Sequence, residues 1–250
     1  MRVGLFIPCT VDQLRPEVGR ATLTLLERLG VEVDFPREQT CCGQPLINAG
    51  AGRMAAPMAE RHAEIFAEYE YVVCPSASCV ATVTRFYDEL LPGKATLERL
   101  RAQTWELCRF VTDVLGHTGL EGSFPHRVGL HASCHGLREL RQGSASESTA
   151  PAAPDPAHTL LASLEGIELV DLRRPDECCG FGGTFAVEEP DVSCAMGRDR
   201  LADHRRGGAE VITSIDASCL LHLDGVARRE GRPVRMLHVA ELLEAACRPA

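Results

Sequence analysis

The chain has 250 residues, a formal charge of −9 and 12 cysteines. Its acidic balance, with no basic cluster, excludes nucleic acid as the main partner, and 45% hydrophobic against 24% charged residues excludes a disordered or low-complexity chain. No run approaches the roughly 18 to 20 consecutive apolar residues of a membrane helix, and the opening nine residues carry too short an apolar run for a secretory signal; no membrane span and a cytoplasmic location are expected.

Residues 2–8 form a short apolar run ending at Cys9 and predict a buried strand. Residues 16–29 carry Val18, Leu23, Leu25, Leu26 and Leu29 and predict a helix closed by Gly30. Residues 31–35 alternate like a second strand, Cys41-Cys42-Gly43 falls in a turn, and residues 54–68 predict an amphipathic helix. Residues 71–73 predict a third strand, followed by a helix beginning near Cys79, and residues 96–115 predict a helical connection. The rhythm then repeats. A strand at 127–130 ends in Ala132-Ser133-Cys134, and a strand-like stretch at 167–172 leads to Cys178-Cys179-Gly180. A helix at 191–206 and a strand at 210–215 follow, with a helix starting at Cys219. Residues 143–156, rich in Ser, Ala and Pro, read as a flexible loop. The alternation predicts an α/β chain in two halves, each a mostly parallel sheet flanked by helices, with a boundary near 118–125 giving domains of 1–120 and 121–250.

The repeat is sharpest in the cysteines. Pairing Cys9 with Cys134, Cys41 and Cys42 with Cys178 and Cys179, and Cys79 with Cys219 gives offsets of 125, 137, 137 and 140. Order and context are kept while loop lengths drift, which implies two similar units related by a pseudo-two-fold axis. A buried free cysteine is often no more than a small hydrophobe, and Cys108, Cys194 and Cys247 are read that way. Chance does not duplicate two Cys-Cys-Gly triplets with both flanking singles, so the eight repeated cysteines are read as metal ligands. In a reducing compartment such thiols point to metal or redox chemistry rather than disulfides.

Four thiolates per half match a [4Fe–4S] or [2Fe–2S] cluster and equally a structural zinc. The paired Cys-x-x-Cys knuckles usual for zinc are absent, which favours iron–sulfur and leaves zinc as the alternative in one site. Adjacent cysteines cannot share a site from an extended strand, because successive side chains point to opposite faces. A tight turn removes the obstacle, and Gly43 or Gly180 supplies the positive φ that the turn needs. Helix starts at Cys79 and after Gly180-Phe181-Gly182-Gly183 would turn free N–H groups toward an anionic cluster.

Leu5-Phe6-Ile7-Pro8-Cys9, Cys41-Cys42-Gly43-Gln44-Pro45, Pro75-Ser76-Ala77-Ser78-Cys79, Ser133-Cys134-His135, Cys178-Cys179-Gly180-Phe181-Gly182-Gly183-Thr184-Phe185 and His238-Val239-Ala240-Glu241 together resemble the cysteine-rich CCG-domain family. That family includes a component of heterodisulfide reductase and the iron–sulfur subunits of glycolate and glycerol-3-phosphate oxidation, and the resemblance is to its lactate-utilisation branch. It implies two Rossmann-like CCG domains, one iron–sulfur cluster in each, and an electron-transfer subunit working with other lactate-utilisation iron–sulfur subunits to oxidise L-lactate to pyruvate. Heterodisulfide reductase relatives have a cysteine three residues before the last ligand; here Ser76 and Asp216 stand in those places. The resemblance therefore implies four-thiolate electron-transfer sites, with Cys74 as a shifted candidate for a fifth ligand. A zinc-stabilised scaffold and a thiol-disulfide oxidoreductase are the alternatives. His131, His135 and His222 stand beside the cysteines and are read as hydrogen-bonded support, with proton carriage, or carboxylate binding together with Arg138, as the functional option.

Overall fold

The computed structural model describes residues 1–151 and 153–247. The first strand of each half has the same sequence: β1 (Arg2–Leu5) and β5 (Arg127–Leu130) both read Arg-Val-Gly-Leu. Their branched and apolar side chains suit a strand covered on both faces. The glycine serves close packing. A Cβ at Gly4 would lie 2.8 Å from the Tyr69 ring, and one at Gly129 would lie 2.2 Å from His204 Nδ1.

In the first half β1 is flanked by β2 (Glu32–Asp34) and β3 (Tyr71–Cys74), and β4 (Thr104–Glu106) lies outside β3. In the second, β5 is flanked by β6 (Glu168–Leu169) and β7 (Val211–Ser214), with β8 (Arg235–His238) outside β7. Every pairing is parallel, with Val3 opposite Val33 and Tyr71, and Val128 opposite Leu169 and Val211. Parallel neighbours need crossovers, which the intervening helices provide. The fold is the expected α/β pair of similar units, each a four-stranded parallel sheet flanked by helices.

Two strands depart from the sequence expectation. The stretch expected as one helix over 96–115 contains the edge strand β4: the helix Ala95–Gln103 stops where Thr104 Oγ1 turns back to Leu100 O at 2.6 Å, and Trp105 pairs opposite Val73. β-Branched and aromatic residues favour the sheet there over continued helix. The second departure is at the other end of the chain, where β8 precedes the helix Val239–Ala246 that carries the apolar stripe leading to Cys247.

The halves pack through reciprocal contacts, which is the signature of a pseudo-two-fold axis. The helix Cys9–Leu14 meets Ala217–Arg229, and in mirror fashion the turn His135–Glu139 meets Ala77–Ala81; likewise Pro16–Arg28 meets Val239–Ala246 while Pro156–Ala162 meets Leu107–Arg109. One buried apolar core runs from Val3, Phe6 and Val73 to Val128, Leu160 and Leu243, so it crosses from one half into the other. Arg28 with Glu244 and Arg15 with Glu241, each pair 3.1 Å apart, fasten its rim. Among the described residues no helix is long and apolar enough to cross a membrane.

Candidate metal centre

Both sheets aim the carboxyl ends of their strands at the axis, and the segments that follow carry the cysteines. In the first half the turn after Thr40 places Cys41 and Cys42 side by side; Gly43, at φ +83°, ends it and starts the helix Gln44–Asn48. In the second half Gly180 at φ +91° does the same for Cys178 and Cys179. These positive φ values are what the sequence required of the two glycines. In each turn the glycine N–H points back to the first thiol of the pair, Gly43 N to Cys41 Sγ at 3.4 Å and Gly180 N to Cys178 Sγ at 3.3 Å.

Each half then closes a four-sulfur set. Cys9 Sγ lies 3.5 Å from Cys41 Sγ, and Cys42 Sγ lies 3.4 Å from Cys79 Sγ. In the second half Cys134 contacts Cys178, Cys178 contacts Cys179, and Cys179 contacts Cys219. All eight repeated cysteines line one cavity of about 410 Å³ between the halves. Cys74 is elsewhere: it is fully buried behind the first set, with Sγ 3.8 Å from Ser76 O. Cys108 is buried in the core, and Cys194 and Cys247 pack partly buried against apolar clusters.

Crowding dominates the acid–base chemistry. Contact with Cys41, then burial, raises the Cys9 thiol, and Cys42 raises Cys41. In the second set Cys134 and Cys179 are raised, each chiefly by contact with Cys178, while donation from Cys134 and Cys179 lowers Cys178. Thiols packed this closely cannot all ionise by themselves, and a multiply charged metal group is what allows four thiolates to share such a volume. The donor set fits an iron–sulfur cluster in each half: Cys9, Cys41, Cys42 and Cys79 for one, Cys134, Cys178, Cys179 and Cys219 for the other.

Ser76 and Asp216, each three residues before the last cysteine of its set, meet each other across the axis. Asp216 Oδ1 accepts from Ser76 Oγ at 3.2 Å, Ser78 Oγ at 3.0 Å and Ser218 Oγ at 3.2 Å, and Oδ2 accepts from Ser78 N at 2.8 Å and Ser133 Oγ at 3.1 Å. These two positions, read in the sequence as missing ligands, form the polar knot that joins the two sites. Beside it Ala77 N donates to Ile215 O at 3.3 Å.

The histidines divide. His222 Nε2 lies 3.2 Å from Ser193 O, and Ser193 Oγ donates to Gly180 O at 2.7 Å, so His222 steadies the second cysteine turn. His135 lines the cavity and meets Gln44 of the other half at 3.3 Å. Arg138 is held by Glu147 and by Asp176 O and is not on the cavity wall, so it does not join His135 in a carboxylate site. His131 is fully buried with both ring nitrogens unpartnered among the described residues, and burial followed by the nearby Arg200 charge pushes it down to about 3.

Sequence reading missed what lies behind the second set. Arg200 is wholly buried, its Nη1 donating to Arg174 O and lying 3.5 Å from Asp203 Oδ2. His204 packs edge-on to His131, with ring centroids 6.3 Å apart. The available signal was the spacing Ser193, Gly197, Arg200, His204, one face of the helix Pro190–Arg206.

The CCG family of cysteine-rich domains matches residues 3–84 and 128–224, and each segment contains one complete four-cysteine set. The chain is 40% identical over 247 residues to Lactate utilization protein A of Halalkalibacterium halodurans, covering 97% of this chain and 96% of that protein. It is 41% identical over 247 residues to the protein of the same name from Exiguobacterium sp., covering 96% of each. Among solved structures, a hypothetical protein from Helicobacter pylori superposes with a TM-score of 0.67 at 8% identity; the match covers all of this chain and 49% of that one, and it bears on the fold alone.

Proposed function

Because the chain belongs to the cysteine-rich CCG-domain family, we propose that it is an iron–sulfur electron-transfer subunit of a system oxidising L-lactate to pyruvate, with one [4Fe–4S] cluster in each half. The substrate comes from its relatives, which are named Lactate utilization protein A. The observation that carries the electron-transfer reading is the pair of complete four-sulfur sets on one cavity wall. Each cluster, when bound, supplies one-electron transfer. The chain's own residues hold and insulate: eight thiolates bind, the Gly43 and Gly180 N–H groups stabilise negative charge on Cys41 and Cys178, and the Asp216 knot fixes the spacing of the two sites. Oxidising a 2-hydroxy acid to a 2-oxo acid releases two electrons, and two one-electron centres in one chain match that number. The segments 1–120 and 121–250 are the two cluster-bearing units, other lactate-utilisation iron–sulfur subunits in the cytoplasm are the partners, and the hydride step on lactate happens elsewhere or requires a partner.

Anaerobic purification with iron, sulfide and zinc analysis tests this. About eight iron and eight sulfide per chain are expected, four of each per cluster. Stoichiometric zinc without iron or sulfide would replace the proposal with a zinc scaffold, and disulfide turnover by the chain alone would replace it with a thiol-disulfide oxidoreductase.

A further inference from the structure

The two cysteine sets are alike, but what stands beside them is not. Aligning the identical strands β1 and β5 puts Phe6 opposite His131, and the offset of 138 between the helices Gly52–Ile65 and Pro190–Arg206 puts His62 opposite Arg200 and, just past the end of the first helix, Phe66 opposite His204. In the first half these positions form an aromatic cluster, with Phe6 and His62 edge to face at 4.4 Å between centroids and His62 and Phe66 tilted at 4.7 Å. An apolar ring therefore satisfies the packing at the Phe6 position, and nothing in the fold requires a histidine at its counterpart.

His131 follows β5 on the same short segment as Cys134. One of its ring nitrogens, Cys179 Sγ and Cys219 Sγ all lie within 4.8 Å of one another, and both ring nitrogens are buried without a hydrogen-bond partner among the described residues. Neither neighbour relieves them: His204 also has both nitrogens unpartnered, and Arg200 Nε and Nη2 likewise reach no acceptor. Leaving a buried donor or acceptor unsatisfied is costly, and a metal is the natural partner for an imidazole placed among thiolates.

We propose that His131 is a metal ligand of the second centre in place of one of the four thiolates assigned to it above, so that this centre is bound by three thiolates and one imidazole while the first is bound by four thiolates. The inference rests on the iron–sulfur reading above. Exchanging a thiolate for an imidazole raises a cluster's potential, so the two centres are electronically distinct, the second being the easier to reduce.

The test uses the full chain, purified anaerobically and reduced, and compares natural-abundance protein with protein labelled with nitrogen-15 histidine. Pulsed electron paramagnetic resonance is expected to show strong nitrogen coupling from a directly bound imidazole, shifted by the label. The coupling should vanish in His131→Phe, which copies the first half, and persist in His204→Gln. A redox titration should resolve two potentials in the unsubstituted protein and move only the upper one in His131→Phe. Full iron and sulfide with no label-sensitive coupling, or coupling that survives His131→Phe, would overturn the imidazole ligand while leaving the iron–sulfur reading intact. Absence of iron would overturn both.

Discussion

Asp216 accepts five hydrogen bonds while almost wholly buried, two from Ser76 and Ser78 hydroxyls and one from the Ser78 N–H of the opposite half. Removing the carboxylate strands those donors, so Asp216→Ala is expected to lower stability by about 2–4 kcal/mol in urea unfolding, with Asp216→Asn retaining part of it. The two turn glycines differ in tolerance. A Cβ at Gly180 would lie 2.5 Å from Ser193 O, a backbone atom, whereas at Gly43 the nearest atom is Ala55 Cβ at 3.0 Å. Both pay the positive-φ cost of about 1–2 kcal/mol, and Gly180→Ala adds a clash with backbone. Its second centre should lose metal, while Gly43→Ala retains most of the first; iron content per chain measures the difference. At this scale much was legible. The eight cysteines announced themselves by duplication, and the two glycines by the geometry of adjacent ligands. The partnership of Ser76 with Asp216 was not, because nothing local in a sequence links residues 140 apart.

At the scale of elements, period and punctuation exposed most strands and helices, and the failures have physical causes. β4 is three residues long and follows a helix directly, so a helical reading of 96–115 ran straight through it. The helix Pro190–Arg206 turns Arg200, Asp203 and His204 inward, against the rule that the apolar stripe marks the buried side. Two helices bury neutral histidines, His62 at about 3 and His204 at about 2, both lowered chiefly by burial. The ordinary value of 6.5 holds in the unfolded chain, which therefore binds more protons than the folded one from about 6.5 down to these values. Stability should thus fall as pH drops through that window. His62→Leu removes one such group and two unpartnered nitrogens, and is expected to flatten the decline in urea midpoint between pH 7 and pH 5.

For the whole molecule the decisive feature is that an apolar core spans both halves, with Leu160 and Leu243 of the second packed into the same cluster as Phe110 and Leu25 of the first. Burying one such side chain contributes roughly 1.5–3 kcal/mol, so residues 1–120 made alone leave several of these contacts facing water. That fragment is expected to lack a cooperative thermal transition, and co-expression with residues 121–250 should restore one. A fragment that unfolds cooperatively by itself would contradict this. The duplication was legible in the spacing of the cysteines; the shared core was not, since helices from distant stretches supply it reciprocally.

The contact between Ser76 and Asp216 also bears on ancestry. In a symmetric dimer of identical single-unit chains, this position would face its own copy across the axis. Serine against serine is harmless there, but two buried aspartates would repel. An acid on one side with hydroxyls on the other needs two separately encoded copies, so the knot at the centre of this molecule is an arrangement open to one chain with two different halves and closed to a symmetric dimer of a single unit.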